Sequence, residues 1–281
     1  MAYYDVKPKP GWKVDTIPAF CINLDRRPDR WAEFLAQTGV KALPNMKRFI
    51  AVDGSKIDIQ NDDRIPLITK RNIKRKIRRA HEEINTPGAI GCALSHIAVW
   101  EWIVQNQAPI TLIMEDDAQV PQNFTDYMNA AIDRSAILKD TSKWELLTLA
   151  HTRPDTNIHM QDADVHTCDA FIGFQCYFIT LDCAKRFLSE AYTLHLHIDL
   201  WTAIFKQVHG LELICLPKFT VRQRSSATDI QELNGCRLCD LSPTYYKTHT
   251  IVRNEEHLLL KAVEIAIAAG VLYAIYKYVR R

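Results

Sequence analysis

The chain has 281 residues, 47% of them hydrophobic and 24% charged, with a formal net charge of +2. That length and apolar content suffice for one large domain, or one domain with appendages. So small a net charge implies no general polyanion-binding surface, and the one dense basic cluster has no nucleic-acid motif or aromatic platform beside it. Residues 1–16 form a polar, proline-containing extension without the apolar core of a secretory signal. A first strand is expected from Ile17 to Leu24, then a helix from Pro28 to about Gln37, which Gly39 can end. A second strand near Arg48–Val52 leads into the turn pair Asp53-Gly54. Residues 55–85 are polar and charged and read as an insertion with little core signal. Lys70, Arg71, Lys74, Arg75, Lys76, Arg78 and Arg79 put seven cations within ten residues there. A solvated face, a lid or contact for an anionic acceptor, and a membrane contact all fit that run.

Apolar positions Ile90, Leu94, Ile97, Ala98 and Val104 follow helical spacing after the turn residues Pro87 and Gly88. Ser95 and His96 sit in the middle of that helix, where serine has no propensity reason to be. Next comes Ile110-Thr-Leu-Ile-Met-Glu-Asp-Asp117, an apolar run with strand character that ends in three carboxylates. Adjacent acids repel one another and lose hydration unless a cation compensates. Open α/β sheets bind ligands outside the carboxyl ends of their strands, where Glu115, Asp116 and Asp117 fall. Oxygen ligands of this kind suit Mn²⁺ or Mg²⁺; an acidic turn with a solvated Asp117 is the plainer alternative.

Beyond the acids, a helix is expected near Asn123–Leu138 and a strand at Trp144–Leu149. A polar loop follows at 151–169, then a strand pattern at Phe171–Leu181 and helices at Cys183–Ala191 and Asp199–Val208. Strands alternating with helices imply an α/β fold with a mostly parallel sheet flanked by helices. The eight cysteines, at 21, 92, 168, 176, 183, 215, 236 and 239, read as reduced thiols in a cytosolic protein. Cys236 and Cys239 form a C-x-x-C pair with no second pair at zinc spacing. Residues 258–279 are apolar over a length that can cross a bilayer, and 257–281 read equally as a membrane anchor on the cytosolic face or a packed helix.

GAIGCALSHIAVWEWI followed by APITLIMEDDA resembles glycosyltransferase family 25, whose members include lipooligosaccharide and collagen galactosyltransferases. Phe20-Cys-Ile-Asn-Leu-Asp-Arg-Arg-Pro-Asp-Arg30 resembles that family's opening strand, and Ile50-Ala-Val-Asp-Gly54 its second block. WELLTLA at 144–150, the Phe171 to Leu188 region and LPKFTVRQRSSATDI at 216–230 match more loosely. The blocks stand in family order over residues 17–232, within an expected catalytic domain of 17–250.

The resemblance implies a GT-A-like nucleotide-sugar transferase fold and an inverting, metal-dependent transfer of a hexose, galactose favoured. The donor would be a UDP-sugar and the acceptor a glycan, lipid-linked or protein hydroxyl. Asp117, then Glu115, are the expected Mn²⁺ or Mg²⁺ ligands. Asn23, Arg26, Arg27, Ser95, His96, Asp116, Gln223 and Asp229 are expected around the nucleotide sugar. Arginine suits a diphosphate because its planar fork donates two parallel hydrogen bonds, with ordinary surface charge the alternative for Arg26, Arg27 and Arg30. Asp199 is the candidate general base, with a helix N-cap as its structural alternative. Two rivals stand beside this reading: an inactive relative serving in adhesion or as a scaffold, and a metal-dependent nucleotidyl or phosphoryl transferase. The second lacks a glycine-rich phosphate loop in this sequence.

Overall fold

Strand β1 (Ala19–Asn23) is buried at every position, as a strand covered on both faces must be. The computed structural model describes residues 11–76, 83–152, 158–192, 194–216 and 218–224. All belong to one unit, Met1–Glu232, while residues 233–281 form a second. Asp229, the Cys236/Cys239 pair, Arg78, Arg79 and the apolar segment 258–279 lie outside the described residues.

After β1 come α1 (Pro28–Ala36), α2 (Thr38–Lys41), β2 (Met46–Ile50), α3 (Leu67–Arg75), α4 (Pro87–Gln105), β3 (Ile110–Glu115) and β4 (Ala118–Gln119). The second half runs α5 (Phe124–Arg134), α6 (Ala136–Lys139), β5 (Leu146–Thr148), β6 (His151–Thr152), β7 (Ile158–Met160), β8 (His166–Cys168) and β9 (Phe171–Ile172). It closes with β10 (Cys176–Thr180), α7 (Leu181–Leu188), α8 (Ile198–His209), β11 (Leu213–Cys215) and β12 (Arg222–Gln223). Eight strands form one sheet in the order β2-β1-β3-β10-β5-β11-β8-β7. Strands β2, β1 and β3 are mutually parallel, β10 is reversed, β5 and β11 return to the first direction, β8 reverses and β7 returns. Six of the eight strands therefore share one direction, and the mixed α/β architecture is compatible with a GT-A-like fold.

The pleat sends alternate residues into two cores. On β3, Ile113 joins Trp100, Phe187 and Trp201 under α4, α7 and α8, while Leu112 and Met114 join Phe34, Phe124 and Met128 under α1 and α5. Each such side chain contributes about 1.5–3 kcal/mol on burial. Helix α4 is long and apolar enough to cross a membrane by length and composition, but most of it is buried in the fold. It presses on the turn after β2: a Cβ on Gly91 would lie 2.6 Å from Gly54 N, and one on Gly54 would lie 1.8 Å from Pro87 O. Only glycine at both positions permits that approach.

Several expectations change. Gly39 does not end the first helix; Gln37 does so with extended backbone, and a Cβ on Gly39 would meet Pro121 O at 2.2 Å. The helix expected over 123–138 breaks at Ser135, whose hydroxyl caps α6. The loop expected at 151–169 supplies three short strands, two of them at the sheet edge. Within 55–85, where little core signal is expected, Ile59, Ile65 and Ile84 enter the core.

Helix α3 lies in that stretch and is held by buried polar groups. Thr69 Oγ1 donates to Leu194 O at 2.8 Å, and Asn72 Nδ2 donates to Glu83 Oε2 at 3.0 Å. Its outer face repels itself. Lys70–Lys74, Arg71–Lys74 and Arg71–Arg75 are like charges three or four residues apart, each costing about 0.2–0.5 kcal/mol. Lys76 ends the helix at φ 52°, left-handed backbone that costs a residue with a Cβ about 1–2 kcal/mol and that glycine adopts freely.

Candidate active site at the strand ends

Parallel pairing puts the ends of β1 and β3 side by side, with Ile22 opposite Glu115. Asn23 therefore faces the acidic turn. Its Nδ2 donates to Asp116 Oδ2 at 2.6 Å and to Arg27 O at 3.1 Å, and its Oδ1 accepts from Arg48 Nε at 2.8 Å. Arg30 reaches the same carboxylates from α1: Nη1 lies 3.1 Å from Asp116 Oδ1 and Nη2 3.3 Å from Asp117 Oδ2. Gln223 Nε2, on β12, donates to Asp117 Oδ2 at 3.0 Å, and the Arg224 N–H donates to Asp117 O at 2.7 Å. The acidic triplet is thus a buried, mostly satisfied network. Among the described residues, Asp117 Oδ1 is a buried oxygen of the triplet with no hydrogen-bond partner.

Electrostatics follow from that burial. Desolvation, then the charge of Glu115, pushes the Asp117 carboxyl up to about 7, while Gln223 and Arg30 pull it down. Desolvation also raises Asp116, opposed by Asn23 and Arg30. Arg30 is 8% exposed and holds two buried carboxylates. Removing one partner of a buried ion pair costs about 3–5 kcal/mol. Arg30→Met, which keeps the apolar stem, should lose about that much stability by denaturant titration at pH 7.5. The loss should shrink at pH 4.5, where the carboxylates take up protons, and added Mn²⁺ should recover part of it. A small loss, equal at both pH values, would return Arg30 to a surface role.

Glu115 is held from behind. His96 Nε2 lies 3.1 Å from Glu115 Oε1, and His96 Nδ1 lies 2.9 Å from the Tyr177 hydroxyl, which accepts from Trp100 Nε1 at 3.0 Å. With its oxygen taking the indole N–H, the Tyr177 hydroxyl donates to Nδ1, leaving Nε2–H to donate to Glu115. Cys92, His96 and Glu115 place ligand atoms within 4.8 Å of one another. Burial, then Glu115 and Asp199, raises the Cys92 thiol well above its ordinary value. A protonated thiol is a poor ligand, and a hard cation prefers carboxylate oxygens to a thiol.

Ser95 and His96 lie behind this surface, 1% and 0% exposed. Ser95 Oγ donates to Gly91 O at 2.6 Å and accepts from Val52 N at 2.9 Å, so it pins α4 to the turn after β2. Their polar atoms meet protein groups, and this geometry gives neither a direct hold on a donor. Arg26 and Arg27 lie past the end of β1, with Arg26 Nε 3.3 Å from Asp53 Oδ2 and Arg27 Nη2 2.9 Å from Asp29 Oδ2. Asp199 is not the N-cap of α8, a place His197 takes. It stands in the first turn, where Oδ2 accepts from Gly173 N at 2.9 Å and Oδ1 from Leu200 N at 2.8 Å. Gly173 has φ +83°, a left-handed turn that glycine adopts without strain. The charges of Glu115, Asp199 and Asp117 all push the Cys92 thiol up, so all three carboxylates stand within electrostatic reach of it.

Arg48, Tyr177 and Trp100 complete the site without a signal in the sequence, and Arg30, which the sequence offers only beside Arg26 and Arg27 with surface charge as the alternative, is buried against the acids. For Arg30 the available signal was its position four residues before Phe34, the other buried residue of α1.

A model of the family described as "Glycosyltransferase family 25 (LPS biosynthesis protein)" matches residues 16–202. Procollagen galactosyltransferase 2 of Homo sapiens is 30% identical over 156 residues, 54% of this chain and 23% of that protein. A glycosyltransferase 25 family member of Anopheles gambiae is 27% identical over 184 residues, 64% of this chain and 30% of that protein. Inactive glycosyltransferase 25 family member 3 of Homo sapiens is 25% identical over 142 residues, 49% of this chain and 22% of that protein. The alignments thus cover less than a third of each relative's length. With a family match across the strands and helices that build the acidic cluster, the chain belongs to glycosyltransferase family 25.

Proposed function

We propose that this chain is an inverting hexosyltransferase that moves a hexose, galactose favoured, from a UDP-sugar to a hydroxyl on a glycan, lipid-linked or protein acceptor. The observation that carries the reading is Asp117 Oδ1, a buried carboxylate oxygen without a hydrogen-bond partner among the described residues, on a group whose proton affinity desolvation and then the charge of Glu115 have raised. A divalent cation is the compensation such a site calls for. Asp117 and Glu115 would hold Mn²⁺ or Mg²⁺, and a cation there supplies Lewis-acid neutralisation of a diphosphate leaving group.

The chain's own groups account for the rest. Arg30 and Asn23 fix Asp116 and orient the strand end, and Gln223 engages Asp117 Oδ2, which leaves Oδ1 as the unpaired oxygen of that carboxylate. Arg26 and Arg27 lie just past the end of β1, and guanidinium forks suit a diphosphate. The two hydrogen bonds to Asp199 hold its carboxylate in place, and a carboxylate retains acceptor capacity beyond two bonds. Asp199 would take the proton of the attacking acceptor hydroxyl. Galactose is favoured because a human relative is named a procollagen galactosyltransferase.

The test incubates the purified chain with a panel of UDP-sugars and Mn²⁺ and measures UDP release. Release should be greatest with UDP-galactose, disappear on chelation with EDTA and return with Mn²⁺. Full activity after exhaustive chelation sinks the metal role, and silence with every donor favours an inactive relative.

A further inference from the structure

Helix α3 concentrates positive charge on an outer face. Arg71, Lys74 and Arg75 are exposed and make no ion pair among the described residues. Their spacing is self-repelling, and Lys76 occupies left-handed backbone where glycine would be less strained. The helix dipole accounts for cations in the last turn, Lys74 and Arg75, but not for Arg71 in mid-helix. Local rules broken together without a structural gain mark a functional surface.

The fold also fixes where this charge stands. Thr69 ties α3 to Leu194, Asn72 ties it to Glu83, Glu83 bridges to Leu196, and Ile84 N donates to His195 O at 3.0 Å. Asp199 follows Leu194 by five residues, at most about 17 Å of chain. The basic face is therefore anchored on the segment that leads into Asp199.

We infer that α3 is an anionic-glycan face: Arg71, Lys74, Arg75 and Lys76 hold phosphate or carboxylate groups of the acceptor while its hydroxyl lies near Asp199. Guanidinium and ammonium groups bind such anions by charge-assisted hydrogen bonds, strongly weakened by salt. That the glycan is an acceptor rests on the glycosyltransferase reading; that α3 binds it does not.

The experiment uses the full chain and a fluorescein-labelled heparin hexasaccharide, with maltohexaose as the neutral probe, at about 50 and about 200 mM salt. The parent should bind the anionic probe, less tightly at the higher salt, and leave the neutral one alone. R71Q/K74Q/R75Q should weaken binding by about tenfold or more, with an unchanged or higher melting temperature because self-repulsion is relieved. A control with the same charge change on exposed residues elsewhere, K41Q/K47Q/K139Q, should bind like the parent, and Mn²⁺-dependent UDP affinity should match in all three. Equal weakening in both variants, or equal binding of the neutral probe, overturns the inference. So does a parent that binds phosphatidylglycerol vesicles through α3 but not the hexasaccharide, since the face would then meet a membrane. A parent that binds the hexasaccharide through α3 but shows no metal-dependent UDP binding supports the glycan face and overturns the donor reading instead.

Discussion

Replacing Asp117 by asparagine should abolish metal-dependent UDP binding and turnover while removing a pH-dependent weakness from the metal-free fold. Asparagine can present its amide oxygen to Gln223 and Arg30 in place of Oδ2. It cannot present an anionic oxygen in the position of Oδ1, which has no partner. The stability effect follows from linkage. The carboxyl titrates near 3.8 when unfolded and at about 7 when folded, so between those values the folded state holds a proton that the unfolded state has released. Stability of the metal-free parent must then fall as pH rises from about 4 to about 7, by a few kcal/mol at roughly 1.4 kcal/mol per pKa unit. Asp117→Asn should lack that fall, and Mn²⁺ should raise the melting temperature of the parent alone above pH 7. Calorimetry of UDP binding with Mn²⁺, beside melting curves across that pH range, tests both halves. Unchanged UDP affinity in the variant would mean that the metal ligand lies elsewhere.

Asp199→Asn should lower turnover by roughly 10²–10⁴-fold, the usual worth of a positioned general base, with donor affinity near that of the parent. A base acts only as the acceptor proton leaves, so its loss is absent from UDP binding. The structure adds a second, smaller cost. Asparagine has one acceptor oxygen, whereas Asp199 uses both, toward Gly173 N and Leu200 N. One backbone donor loses its bond, a loss of about 0.5–1.5 kcal/mol and a slightly lower melting temperature. Melting, UDP affinity and turnover measured on one preparation separate the two contributions. A variant that melts lower yet turns over at the parent rate assigns Asp199 to holding the Gly173 turn against α8.

Local patterns carried much of this protein. The run Ile110 to Glu115 is a strand because it is mostly apolar with β-branched Ile110, Thr111 and Ile113, and it is buried up to its last residue because no charged side chain precedes Glu115. The helical spacing from Ile90 to Val104 became α4, and the resemblance blocks led to the family that the comparisons show. Short strands were harder. Leu213–Cys215 has three residues, too few for a period-two pattern to show against its surroundings, and it forms only because β5 and β8 flank it.

What the sequence determined by itself was the class of fold, the helix α4 and the acidic strand end, all features whose cause lies within about ten neighbouring residues. The tertiary structure decided which polar groups face one another. Arg30 and Asp117 are 87 residues apart in the chain, and Gln223 and Asp117 are 106 apart, so no window of sequence contains either contact. It also decided that Ser95 and His96 stand behind the site and that Asp199 is held by Gly173. Charge and type are written in the chain locally; burial, which turns Asp117 from an ordinary carboxylate into one that titrates near neutrality, is a property of everything packed around it.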